Sequence, residues 1–122
     1  MGLDMYLYLK NKSTGECKEV MYWRKANQFR EWFSKNLKDF QDEGTTPVSK
    51  SDLERLVHDC NSLLENRELA ESLLPTSIGW FFGPISYSDH YFEEVERTEK
   101  VLSKLLSSVD FEKEELIYFE WY

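Results

Sequence analysis

The residues from Leu73 to Phe92, LLPTSIGWFFGPISYSDHYF, constrain the fold of this chain more than any other stretch. Six aromatic rings (Trp80, Phe81, Phe82, Tyr87, Tyr91 and Phe92) stand there with two prolines, two glycines, one histidine and no lysine or arginine. So apolar a segment is not an ordinary solvated loop, yet Pro75, Gly79, Gly83 and Pro84 break any long helix through it. It is therefore a structured crossing through or against the core, with room for a short strand over Gly79 to Phe82. Its tyrosines and His90 carry polar tips that need partners when buried, which makes the same segment the natural wall of a binding surface.

The remaining residues describe a soluble α+β protein. A length of 122 residues suits one domain, spanning 1–122, that buries a core without staples. Apolar runs are too short to cross a bilayer, and the opening MGLDMYLYLK lacks the basic and small-residue features of a secretory signal. Gly2 invites a myristoylation reading, but Tyr6 stands where that motif wants Ser or Thr. Cytoplasmic residence is the expectation, with Cys17 and Cys60 reduced and at least one of them a core residue. The formal charge of −8 opposes docking on a phosphate backbone and concentrates in the C-terminal third. Such acidity either keeps the protein soluble or imitates nucleic-acid phosphates before a basic partner. Arg24, Lys25, Arg30, Lys35 and Lys38 suggest one modest basic helix face.

Leu3, Met5, Leu7 and Leu9 alternate with Asp4, Tyr6, Tyr8 and Lys10, the period of a strand with one buried face. Asn11 to Gly15 reads as a turn and Glu16 to Trp23 as the returning strand of a hairpin. From Arg24 the period becomes helical through Ala26, Phe29, Phe33 and Leu37, and Lys38 to Val48 reads as a polar loop. Ser51 and Glu54 have capping-box spacing before a helix striped by Leu53, Leu56, Val57, Cys60, Leu63 and Leu64. Arg67 to Leu74 is expected to turn. A third helix should begin near Ser88 or Asp89 and bury Tyr91, Phe92, Val95, Thr98, Leu102, Leu105 and Leu106. Leu116 to Tyr122 alternates again. The sum is an antiparallel sheet of three or four strands, with the N- and C-terminal strands in the same sheet, packed by about three helices.

Catalytic signatures are weak. His58, Asp59 and Cys60 point in different directions on a helix, and no C-x-x-C or H-E-x-x-H spacing gathers metal ligands. A Cys60 nucleophile with His90 as base is formally available, but a lone thiol on an apolar stripe is ordinarily packing. Asp4 has two readings: a residue of an exposed sheet face, or a partner of Arg24 or Asn27 at the mouth of a groove. The junction Trp23 to Asn27 places amides and cations where an anion could meet a helix start. No cofactor or metal is implied.

MGLDMYLY, YWRKAN at Tyr22 to Asn27, Trp32-Phe33, LLPTSIGWFFG, Tyr87, Tyr91, Thr98 and the closing DFEKEELIYFEWY form a series along nearly the whole chain. It resembles a family of small bacteriophage and prophage proteins. That resemblance implies a non-enzymatic binding protein, an accessory inhibitor of a host or defence protein in the host cytoplasm, while composition and charge favour neither membrane nor direct nucleic-acid contact. The alternative is a nucleotide or small-ligand binder, conceivably an enzyme, using segment 76–91 and the Arg24 to Asn27 junction. On either reading the binding residues are Asp4, Arg24, Asn27, Thr76, Trp80, Tyr87, His90 and Tyr91. A partner protein would need an exposed patch; a small ligand would need a concave pocket where Arg24, Asn27 and tyrosine hydroxyls converge.

Overall fold

The computed structural model describes residues 2–76 and 86–122. Four antiparallel strands, β1 (Asp4–Asn11), β2 (Cys17–Arg24), β3 (Thr45–Val48) and β4 (Glu114–Trp121), form one sheet in the order β2-β1-β4-β3. The first and last long strands are thus central neighbours. Their register pairs Leu9 with Leu116, Leu7 with Tyr118 and Met5 with Glu120, so these six residues share the covered face. Leu3, Met5, Trp23 and Tyr118 are fully buried there.

The strand β3 overturns the expected polar loop. Thr45, Thr46 and Val48 favour an extended backbone, and Pro47 is tolerated because β3 is an edge strand. The Glu120 amide donates to the Gly44 carbonyl at 3.2 Å, which turns the backbones of Gly44, Thr46 and Val48 toward β4 and leaves Pro47 on the outer edge. The possible strand over Gly79 to Phe82 lies outside the described residues.

Helices α1 (Asn27–Asn36), α2 (Lys50–Glu65) and α4 (Asp89–Ser108) lie on one side of the sheet, with a 3-10 turn over Arg67–Leu69 and a single helical turn, α3 (Ala70–Leu73), where only a turn was expected. The start of α2 also differs from expectation. Ser49, not Ser51, is the N-cap, and it exchanges capping hydrogen bonds with Asp52 rather than with Glu54. The predicted stripes of α2 and α4 are otherwise the buried ones, with Leu64 and Leu106 only partly covered. Between α1 and the sheet, Phe33 stacks on Tyr118 at 4.2 Å and Trp23 on Phe29 at 5.6 Å. The Trp23 indole donates to Thr98 Oγ1 at 2.8 Å, satisfying two buried polar groups across β2 and α4.

One buried carboxylate organises the sheet's far corner. Glu120 is fully buried, and it accepts from Tyr118 Oη at 2.9 Å, Arg30 Nε at 3.2 Å and the Glu43 amide at 3.1 Å. Arg30 also pairs with Asp42 at 2.8 Å. Burial works against the Arg30 charge, but Glu120 and Asp42 outweigh it and raise its pKa. Consequently there is no continuous basic face on α1: Arg24 ends β2, and Arg30 belongs to this inner network.

Candidate functional site

The predicted binding residues divide by depth around the shoulder where β2 turns into α1. The turn is made by Lys25, whose φ of 53° is left-handed and whose amide donates to the Leu3 carbonyl at 2.7 Å. This tight reversal leaves Arg24 and Lys25 exposed and drops Ala26, Asn27 and Gln28 into the core. Asn27 is fully buried, so it can only position the shoulder and cannot touch a partner. Opposite stands the entry to α4, where Ser86, Tyr87, Ser88, Asp89 and His90 are all exposed.

Arg24, His90 and Tyr91 line one small pit together with Lys25 and Glu94, so three of the predicted residues do converge. Its volume is only about 20 Å³, room for about one water. The tyrosine hydroxyls do not reach into an open site. Tyr91 is buried and donates to the Leu74 carbonyl at 2.6 Å, while burial raises its pKa. Tyr87 Oη accepts from the Thr76 amide at 3.1 Å, and its ring packs edge-on against Tyr91 at 5.1 Å. Tyr87 is thereby held at both ends yet remains 36% exposed. Trp80 lies outside the described residues.

Asp4 sits beside Arg24 across the β1–β2 ladder but accepts its hydrogen bond from elsewhere: Tyr22 Oη donates to Asp4 Oδ1 at 2.5 Å. That bond, with burial and the Asp4 charge, pushes the Tyr22 hydroxyl up to about 12. Asp4 therefore lies on the open sheet face, directly across the ladder from Arg24.

The imagined catalytic pair does not survive the geometry. Cys60 is fully buried and burial pushes its thiol up, whereas His90 is exposed at the start of α4. Among the described residues no three His, Cys, Asp or Glu side chains group as metal ligands, and no helix is long and apolar enough to cross a membrane. Both cysteines are free, Cys60 in the core and Cys17 exposed.

A larger concavity, missed from the sequence, opens beside β3 and the start of α2 with a volume of about 570 Å³. Three lysines, Lys12, Lys38 and Lys50, face four carboxylates across it, so it has no dominant sign for an ionic ligand. Nothing in local sequence could mark it, because its walls come from four separated segments. The chain matches no family model, and no curated protein or solved structure is significantly similar to it.

Proposed function

We propose that this chain is a non-enzymatic binding protein that engages a partner protein through the shoulder formed by Arg24, Lys25, Tyr87 and His90. The observation that carries the reading is the combination of exposed cations around a pit too small for a ligand with a pinned, exposed tyrosine, Tyr87, that packs on Tyr91 of the pit wall. Tyrosine and arginine are the residue types that dominate interface hot spots, and a ring already fixed by Thr76 and Tyr91 loses little freedom on binding. The left-handed Lys25 fits this role, since backbone held in sparsely populated conformations concentrates at working surfaces. The motif series adds the biological setting: a bacteriophage or prophage accessory protein inhibiting a host or defence protein in the host cytoplasm. Small-ligand binding at the same shoulder draws no support from so small a pit.

Native mass spectrometry of the purified protein, run beside affinity capture from host lysate, tests this reading. It predicts capture of a discrete protein by the parent and its loss with folded Arg24→Ala and Tyr87→Ala variants, each costing above about 1 kcal/mol. A co-purifying small molecule, or capture that both variants leave intact, contradicts it.

A further inference from the structure

We propose that the open face of the sheet is a self-association surface, on which a second copy of this chain docks about a twofold axis running along the β1–β4 seam. The face lies opposite the helices and is separate from the pit at Arg24 and His90. Tyr22, Tyr6 and Phe119 form a row across β2, β1 and β4, with ring centroids 5.1 Å and 6.0 Å apart, and Tyr8 stacks on Tyr6 at 5.6 Å. Trp121 stands at the end of the face, 60% exposed. Among the described residues no helix packs on these rings.

Both edges of the sheet discourage association by strand addition, which directs a second copy to the face. Pro47 offers no N–H on the outer edge of β3, and Arg97 Nη2 donates to the Tyr22 carbonyl at 2.9 Å on the outer edge of β2.

A twofold interface requires that where residue i meets j of the copy, j also meets i. The β1–β4 register supplies such pairs on the open face: Tyr6 with Phe119, Tyr8 with Ile117 and Lys10 with Glu115. Rotation about the seam places β1 of one copy over β4 of the other. Tyr6 then meets Phe119 of the second copy and Lys10 meets its Glu115, each contact made twice. Within one chain Lys10 and Glu115 are only loosely paired, 3.9 Å apart with side chains 39% and 41% exposed, so both are available to reach across. Aligned sheets pack roughly 10 Å apart, within reach of two such side chains.

Strand rise and spacing give the face roughly 500 Å² per copy, hence roughly 1,000 Å² for the pair. That is the threshold of a specific interface, so the dimer is a weak and reversible one.

Sedimentation velocity on Lys10→Glu, Glu115→Lys and their equimolar mixture tests the geometry. Each variant alone faces two like-charge contacts, and its dimer should weaken by about tenfold or more. Mixing restores both contacts with opposite signs, so the heterodimer should recover the parent's affinity. Circular dichroism should show all three folded, because both side chains are partly exposed and lie outside the core. A parent that stays monomeric up to about 1 mM overturns the proposal and leaves the face to a different protein or to stacked nucleic-acid bases. Dimers indifferent to both substitutions, or not rescued by mixing, overturn it equally.

Discussion

The two faces of the sheet differ in a way that hydropathy alone would order wrongly. On β4 the covered residues are Leu116, Tyr118 and Glu120, whereas Ile117, Phe119 and Trp121 look away from the helices. The face that folds the protein thus contains a buried carboxylate, and the face left open is apolar from Ile117 to Trp121, with Glu115 at its far end. Register decides the matter. Leu9, Leu7 and Met5 of β1 must go inward, and pairing to them carries Leu116, Tyr118 and Glu120 inward too. The core then has to supply Arg30 and the Tyr118 hydroxyl for Glu120, because an unpaired buried charge costs several kcal/mol. Where a strand contradicts its own hydropathy, its neighbours and a buried partner explain the choice.

Breaking the buried pair should have the largest effect. Arg30→Met strands Glu120 without its counter-charge and should cost about 3–5 kcal/mol in urea denaturation. The double variant Arg30→Met/Glu120→Met should recover most of that loss, since an apolar pair of similar volume removes the unpaired charge. A double variant as unstable as the single would show that the network's hydrogen bonds, not its charges, hold the corner.

A smaller loss is expected from Thr98→Val, which leaves the Trp23 indole N–H without its acceptor in the core. Thermal and urea unfolding should report about 1–3 kcal/mol. An unchanged midpoint would mean that the covered face tolerates an unsatisfied donor, and the contrast between faces would weaken.

The smallest effect belongs to the open face. Asp4, which accepts the hydrogen bond of the Tyr22 hydroxyl, pushes that hydroxyl up to about 12. The folded value of Tyr22 is raised above the ordinary one near 10, so its contribution to stability is whole below pH about 10 and is lost as pH rises through about 12. In a difference-absorbance titration, Asp4→Asn should return one tyrosine toward its ordinary range while leaving Tyr122, held up to about 12 by Asp42, where it was. No change on Asp4→Asn would place the cause in burial instead.

Much of the fold was legible because alternation and helical stripes are local. Leu3 to Leu9, the stripe from Leu53 to Leu63, and Tyr91 to Leu105 each declare both element and buried side. β3 was not legible, since four residues beside Gly44 and containing Pro47 carry too little pattern and depend on β4 for pairing. The N-cap at Ser49 escaped because Ser51 and Glu54 offer the same spacing two residues on. Of the candidate site, Arg24, His90 and Tyr91 could be brought together from the β2–α1 junction and the start of α4. The burial of Asn27 could not, because it follows from Lys25's left-handed turn. Glu120 gave no local sign of burial, as its partner Arg30 stands ninety residues away in sequence.

The neighbours Glu120 and Trp121 offer the most direct test, since they differ by one position and point to opposite faces. Equilibrium urea denaturation of Glu120→Ala and Trp121→Ala, measured at a protein concentration where the chain is monomeric, isolates the contribution of each face. Glu120→Ala should lose about 3–5 kcal/mol, and Trp121→Ala should change stability by no more than about 0.5 kcal/mol. Equal losses, or a larger one at Trp121, would contradict the claim that only the helix-covered face holds the monomer together.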